Sequence, residues 1–120
     1  MPARIVIVLR ETVLAGKTAE ALVKVGYHAI AIANAMKALM ALETAKEIEL
    51  LITSAHFPVR QPNGLALARM TRQRRPNLKV IFANGPETQP HVRHDGAFIP
   101  TPTTPDSLVE LADRMMRNVA

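Results

Sequence analysis

An alternation of short apolar runs with longer segments of helical period constrains the fold of this chain most. Residues 5–9 read Ile-Val-Ile-Val-Leu, a mostly β-branched run without a polar position. Such a run is typical of a strand that is buried on both faces, as in a parallel sheet covered by helices. Similar apolar runs occupy residues 28–33, 50–53, 80–83 and 97–99. These five runs predict five strands.

Helices are predicted between the strands. Apolar residues recur at helical spacing over residues 14–25, and Gly26 stands where the first helix should end. Asn34 is expected to cap a helix over 35–46. A third helix should begin near Asn63 and end before Pro76. The last helix should start with Thr104 as N-cap and Pro105 as its first residue, and its apolar face comprises Leu108, Leu111, Ala112, Met115 and Val119.

Strands that alternate with helices predict right-handed crossovers and a doubly wound parallel α/β sheet with helices on both faces. One stretch interrupts the rhythm: residues 85–96 contain prolines and glycines without apolar periodicity. We expect a loop or at most one irregular turn there, so the fourth helix should be shortened or absent. The 120 residues should form a single domain, 1–120.

The composition excludes several classes of protein. With 48% hydrophobic residues the chain is too apolar for a disordered basic tail, although its net charge is +5. The absence of cysteine excludes disulfides, thiolate metal sites and a cysteine nucleophile. The apolar run at 5–9 is too short for a signal peptide or a membrane span, so we expect a soluble, cytoplasmic protein without membrane attachment.

A ligand site in an open α/β sheet lies outside the carboxyl ends of the strands. Parallel strands bring the residues that follow them to the same edge, which makes the candidate set short. The candidates are Leu9, Arg10 and Glu11 after the first strand, Ser54 after the third, Asn84 after the fourth and Thr101 after the fifth.

Six segments, in order along nearly the whole chain, resemble response-regulator receiver domains of two-component signal transduction. They are IVIVLRE (5–11), VKVGYHAIAIANAMKAL (23–39), ELLITSAHFP (49–58), NGLALARM (63–70), RRPNLKVIFANG (74–85) and GAFIPTPTTPDSL (96–108). The resemblance implies a flavodoxin-like sheet with the strand order 2-1-3-4-5.

The resemblance also implies where a receiver would carry its chemistry. Receivers accept a phosphoryl group on an aspartate that ends the third strand, and they bind Mg²⁺ with that aspartate and an acidic pair after the first strand. The acceptor position falls on Ser54 and the acidic pair on Leu9 and Arg10. Receivers also recognise the phosphoryl group with a Thr or Ser hydroxyl after the fourth strand, the switch hydroxyl, and with a Lys that precedes a proline after the fifth strand. These two positions fall on Asn84 and Thr101. The scaffold residues that match are Pro58, Gly64, the switch aromatic Phe98, and Pro102, at which the family's peptide bond is usually cis.

These departures indicate a degenerate, or pseudo-receiver, site. Mg²⁺ prefers carboxylate oxygens, and Glu11 beside the cationic Arg10 is a poor substitute, so neither a metal nor a cofactor is expected. Ser54 should hydrogen-bond nearby backbone, because a serine hydroxyl needs an activating base to act as a nucleophile and only His56 is near in sequence. One hypothesis places the guanidinium of Arg10 in the vacated metal position.

We therefore expect a stand-alone receiver-like domain, not an enzyme, that works without phosphorylation by binding a protein partner. That partner would be a histidine kinase, a histidine phosphotransfer protein or another signalling protein; the oligomeric state stays open. One alternative is a phosphorelay acceptor that uses Ser54. A second is a nucleic-acid-associated protein, which a cluster of cationic residues would support: Arg69, Arg72, Arg74, Arg75 and Lys79. A solvated helix end explains this cationic cluster better.

Overall fold

The computed structural model describes residues 4–44, 47–57, 63–84, 91–93 and 96–117. Its strands are β1 (Arg4–Val8), β2 (His28–Ala31), β3 (Ile48–Ser54), β4 (Lys79–Asn84), β5 (His91–Arg93) and β6 (Gly96–Pro100). Its helices are α1 (Thr12–Lys24), α2 (Ala35–Thr44), α3 (Gly64–Arg74) and α4 (Pro105–Arg117). Within these ranges, none of the helices has the length and apolarity needed to cross a membrane.

The strands form one sheet in the order β2-β1-β3-β4-β6-β5. The first five in this order run parallel to their neighbours, and β6 is the strand predicted as the fifth. The doubly wound five-stranded sheet with the order 2-1-3-4-5 is therefore confirmed.

The short strand β5 corrects one expectation. Residues 85–96 were expected to be irregular, but His91–Arg93 pairs antiparallel with β6 at the edge of the sheet, with His91 opposite Phe98 and Arg93 opposite Gly96. Three residues are too few to show a periodicity, and their strand conformation depends on the ladder that β6 offers. Residues 85–90 and 94–95, on which the prediction of a shortened or absent fourth helix also rests, lie outside the described residues.

The core consists of two apolar layers, one on each face of the sheet. Successive side chains of a strand point to opposite faces, so Ile5 and Ile7 of β1 join the layer under α1 and α4, while Val6 and Val8 join the layer under α2 and α3. Each such side chain stabilises the fold by about 1.5–3 kcal/mol when fully buried. The last helix buries the predicted residues Leu108, Leu111, Ala112 and Met115; Val119 lies outside the described residues.

Local capping fixes where α2, α3 and α4 start. The side-chain oxygens of Asn34, Asn63 and Thr104 accept hydrogen bonds from the backbone N–H groups three residues further on, at 2.9, 2.7 and 3.1 Å. Each of these residues was predicted as a cap or start of a helix, and each contact is worth about 1 kcal/mol.

The turn that ends α1 positions a contact with α4. Gly26 has φ +101°, its N–H donates to the carbonyl of Val23, and the N–H of Tyr27 donates to the carbonyl of Leu22. This is the hydrogen-bond pattern of a Schellman motif. It directs the Tyr27 hydroxyl to Asp113 of α4, to which it donates a hydrogen bond.

Tyr27 and Asp113 shift each other's proton equilibria. Desolvation and the hydrogen bond to Asp113 raise the pKa of Tyr27 above its ordinary value of 10.0. The same hydrogen bond, together with the Arg117 guanidinium at 2.9 Å, lowers the pKa of Asp113 below 3.8. The contact between Tyr27, in the turn after α1, and Asp113 of α4 is therefore strongest when Tyr27 is neutral and Asp113 is ionised.

We predict that the Tyr27→Phe variant is less stable than the wild type by an amount that depends on pH. The difference in unfolding free energy should be constant from about pH 5 to 8. It should shrink as the pH falls through the lowered pKa of Asp113, and again as the pH rises from 10.0 through the raised pKa of Tyr27. Urea unfolding across this pH range measures it. The exposed Glu110–Arg114 pair supplies the control, since Glu110→Gln should change stability little at any pH.

Candidate functional site

Ser54 lies at the centre of the carboxyl edge of the sheet. It is the last residue of β3, it is 4% exposed, and it pairs in register with Ala83 of β4. Its Oγ accepts a hydrogen bond of 3.0 Å from the backbone N–H of Arg10, just after β1. This hydrogen bond links the end of β3 to the residue after Leu9, which follows β1. It agrees with the prediction that the Ser54 hydroxyl bonds to nearby backbone.

The N-terminus of α3 closes over Ser54. A Cβ atom on Gly64 would lie 2.0 Å from the carbonyl oxygen of Ser54, so this position admits only glycine without a shift of the backbone. The N–H of Gly64 donates to the carbonyl of Ala55 at 3.0 Å, and the N–H of Ala55 donates to the carbonyl of Ala83 at 2.9 Å. These contacts hold α3 against the ends of β3 and β4.

The side chain of Arg10 is placed differently from the hypothesis that it fills the metal position. Arg10 is exposed, and among the described residues its contact with Ser54 is made by the backbone N–H alone. Glu11 is also exposed, and it occupies the N-cap of α1 without a capping hydrogen bond from its side chain to any described residue. Neither charged side chain is held against Ser54.

The other candidate residues surround this point in different ways. Leu9 is 1% exposed and belongs to the apolar layer under α1 and α4. Asn84, of which the structure describes only the backbone, pairs with Pro100 at the ends of β4 and β6. Thr101 is half-buried directly after β6, and its peptide bond to Pro102 is cis. Pro58 lies outside the described residues.

Phe98 lies on the face of the sheet that α2 and α3 cover. Its ring stacks on that of Phe82, with a centroid distance of 5.0 Å. Phe82 is 6% exposed, whereas Phe98 is only half-buried. The aromatic position implied by the receiver resemblance is thus packed against β4.

The described residues place neither a set of metal ligands nor a general base at this edge of the sheet. They include no group of three or more His, Asp or Glu residues that could hold a metal ion. His56, the nearest possible base in sequence, is exposed and makes no hydrogen bond to Ser54. A buried hydroxyl that accepts a hydrogen bond from an amide, with no base beside it, is a poor nucleophile.

The cationic cluster is divided among structural roles. Arg72 donates through Nε to the carbonyl of Leu78 at 3.0 Å, and Arg75 donates to the carbonyl of Leu42 at 3.3 Å. Lys79 reaches the other side of the sheet, where its Nζ donates to the carbonyl of Met115 at 2.8 Å. These three contacts correct the expectation of a uniformly solvated helix end, and they leave Arg69 and Arg74 as the exposed arginines of the cluster.

Solved structures of response-regulator receiver domains resemble this one closely. A receiver protein from Sinorhizobium medicae WSM419 superposes with a TM-score of 0.79 at 20% identity, over 98% of this chain and 96% of that chain. The receiver domain of the hybrid histidine kinase CckA gives 0.77 at 26% identity, over 96% and 100%. A CheY-like receiver domain from Methanospirillum hungatei JF-1 gives 0.75 at 22% identity, over 97% and 95%. No protein-family model matches the sequence, and no curated protein matches it as a relative.

The fold is therefore that of the receiver domains of response regulators, in the CheY-like, flavodoxin-like arrangement. The sequence analysis identified the residues at the strand ends but not the hydrogen bonds and close contacts between them. It named Gly64 only as a scaffold position and did not anticipate the contact between Tyr27 and Asp113. A glycine directly after the cap Asn63 was the available signal for the close approach of α3 to Ser54. Nothing local signals the contact between Tyr27 and Asp113, because these residues are 86 positions apart.

We predict that Ser54→Ala and Arg10→Ala differ in stability. Ser54→Ala removes the acceptor of a buried amide and should cost about 1 kcal/mol of unfolding free energy. Arg10→Ala keeps the backbone N–H that makes the bond and removes only an exposed side chain, so it should cost less than about 0.5 kcal/mol. Urea unfolding of both variants tests this, and equal losses would mean that the Arg10 side chain contributes to the site.

We also predict that Gly64→Ala is strongly destabilising, by about 2 kcal/mol or more, because its Cβ would overlap the Ser54 carbonyl. Gly16 is the matched control, since it lies inside α1 with nothing within 4 Å of a Cβ. Gly16→Ala should stabilise the protein by about 0.5–1 kcal/mol. Thermal unfolding compares the two variants, and a neutral Gly64→Ala would contradict the close approach of α3 to β3.

Proposed function

We propose that this chain is a cytoplasmic, receiver-like module of two-component signalling that binds a protein partner without accepting a phosphoryl group. The partner is a histidine kinase, a histidine phosphotransfer protein or another signalling protein. In this proposal the chain is a binding module and not an enzyme, and its site is that of a pseudo-receiver. The receiver fold supports the signalling context; the residues at the carboxyl edge support the loss of phosphotransfer.

The state of Ser54 is the observation that carries the proposal. The receiver resemblance implies an aspartate at the end of β3, and the chain has Ser54 there. Ser54 is 4% exposed, and its hydroxyl oxygen already accepts a hydrogen bond from the backbone N–H of Arg10. To attack a phosphoryl donor, the hydroxyl would have to lose its proton to a base and reach the surface. The backbone carbonyl of Ser54 lies under the first residue of α3, Gly64.

The neighbouring positions support the same conclusion. The acidic pair that would hold Mg²⁺ is replaced by Leu9, whose side chain is in the core, and by Arg10, which is exposed and cationic. An aliphatic side chain supplies no oxygen ligand, and a guanidinium has no acceptor atom to offer Mg²⁺. The alternative function, a phosphorelay acceptor that uses Ser54, would need a set of metal ligands and a base beside Ser54, and the described residues supply neither.

A binding role needs an accessible surface, and α1 provides one. Val13, in the first turn of α1, is 69% exposed, close in sequence to Arg10 and Glu11. In receivers the first helix meets histidine-containing partners. An intact α1 beside an inert site would allow this chain to occupy such a partner and to compete with an active receiver for it.

Amide spectra of the ¹⁵N-labelled chain, recorded while Mg²⁺ and a small phosphodonor are added, test the loss of phosphotransfer. We expect no shifts centred on Ser54 and Asn84 and no gain of a phosphoryl group by mass spectrometry. The Ser54→Ala variant is the matched control for nonspecific effects of the donor. Shifts and a phosphoryl mass that appear in the wild type and vanish in the variant would overturn the proposal and establish Ser54 as an acceptor.

A further inference from the structure

The strand β2 forms one edge of the sheet, and solvent reaches it. In the strand order β2 stands at one end, next to β1. Ile30 is 46% exposed, and Ala31 is exposed as well. Ala29 is 8% exposed, because its side chain belongs to the apolar layer under α1 and α4.

The backbone groups of Ala29 and Ala31 point away from the sheet. Ala31 lies opposite Ile7 of β1, and the N–H of Ile32 donates to the carbonyl of Ile7 at 2.8 Å. Backbone groups of successive residues in a strand alternate in direction, so Ile30 also bonds to β1. Ala29 and Ala31 therefore direct their N–H and carbonyl groups outward, where no described residue supplies a hydrogen-bond partner.

The sequence of β2 lacks the features that normally prevent an edge strand from pairing. Such features are charged side chains, proline, β-bulges and very short strands. His28–Ala31 reads His-Ala-Ile-Ala, and its four pairs with β1 follow a regular register. The strand at the opposite edge, β5, has three residues and includes Arg93. Of the two edges, β2 is the one suited to the addition of a strand.

Exposed apolar residues are concentrated around β2. The described part of the chain exposes eight large apolar residues, and five of them fall within residues 23–40. This segment comprises the end of α1, β2 and the first part of α2. Scattered exposed apolar residues are common, whereas a concentration of them is typical of a contact surface. The five are Val23, Val25, Ile30, Met36 and Met40.

We propose that two copies of this chain form a symmetric dimer by antiparallel pairing of their β2 strands. With the two-fold axis at Ile30, Ala29 of each copy lies opposite Ala31 of the other, and these two pairs exchange four hydrogen bonds. Ile30 then lies opposite its own counterpart in a non-hydrogen-bonded pair, in which side chains are closest. The two sheets become one, with both α1 helices on one face and both α2 helices on the other.

A second copy fits this edge better than an extended segment of another protein. Such a segment could use the same backbone groups. However, β2 offers only two outward residues, so backbone bonds alone give a small contact. A second copy also brings its own exposed Ile30 and the exposed apolar residues of the adjoining helices. An isologous contact of this kind closes after two copies. The proposal goes beyond the partner binding proposed above and does not depend on it.

Sedimentation of the full chain over a range of concentrations tests the proposal, together with amide hydrogen exchange. We expect a monomer–dimer equilibrium with a dissociation constant in the micromolar range, as for other small interfaces. The outward N–H of Ala31 should exchange at least about tenfold more slowly in the dimer than in the monomer.

Three variants locate the interface. Ile30→Lys adds a cation at the two-fold axis and should weaken dimerisation at least about tenfold. Ala31→Pro removes an outward N–H without removing a bond to β1, and it should also weaken dimerisation at least about tenfold. Leu65→Lys is the matched control, because Leu65 is 43% exposed but lies on α3, and it should change the affinity less than about twofold. Circular dichroism verifies that each variant is folded.

A cross-linking experiment tests the register without weakening the fold. The chain has no cysteine, so Ile30→Cys introduces a single thiol. In a non-hydrogen-bonded antiparallel pair the two Cα atoms are about 4.5 Å apart, within the range that a disulfide spans. Oxidised glutathione should convert Ile30→Cys to a covalent dimer, and it should leave the control Leu65→Cys without one.

Several results would overturn the proposal. These are a chain that stays monomeric at millimolar concentration, a dimer that Ile30→Lys leaves intact, or equal cross-linking of Ile30→Cys and Leu65→Cys. Slower exchange of the Ala31 N–H only after an extended apolar peptide is added would assign the edge to a segment of another protein.

Discussion

Burial of the central parallel strands on both faces is the constraint on which the rest of the structure depends. The side chains of β1 alternate between two apolar layers, and each layer needs helices to exclude water. The caps Asn34, Asn63 and Thr104 start three helices at the carboxyl edge of the sheet, from which they run back over its faces. Next to β4, the ring of the half-buried Phe98 in β6 stacks on the buried ring of Phe82.

Uncharged groups hold the carboxyl edge of the sheet together at Ser54. The ends of β1 and β3 are joined by the bond between the Arg10 N–H and the Ser54 hydroxyl, both uncharged groups. The approach of Gly64 to the Ser54 carbonyl closes the same point from the side of α3. These neutral hydrogen bonds and this close packing fix how the ends of β1, β3 and α3 lie against one another.

Much of the fold could be predicted because its signals are local. Unbroken apolar runs mark strands, and a side chain that caps a helix bonds a backbone group three residues away, so both patterns are visible in the sequence. The site was predictable in part: the strand ends identified Ser54 and its neighbours. The position of the Arg10 side chain, the bonds of Arg72 and Arg75 to carbonyls, and the strand β5 were not, because each depends on groups brought together by packing.

The sequence by itself determined the alternation of strands and helices and the absence of an aspartate at the end of β3. These properties belong to residue type and spacing along the chain. Only the tertiary structure decided that Ser54 is buried under α3, that Tyr27 meets Asp113, and that Arg72 of α3 lies near Gly96 of β6. Their partners are distant in sequence, and the energy of such contacts exists only after the sheet has fixed which elements are neighbours.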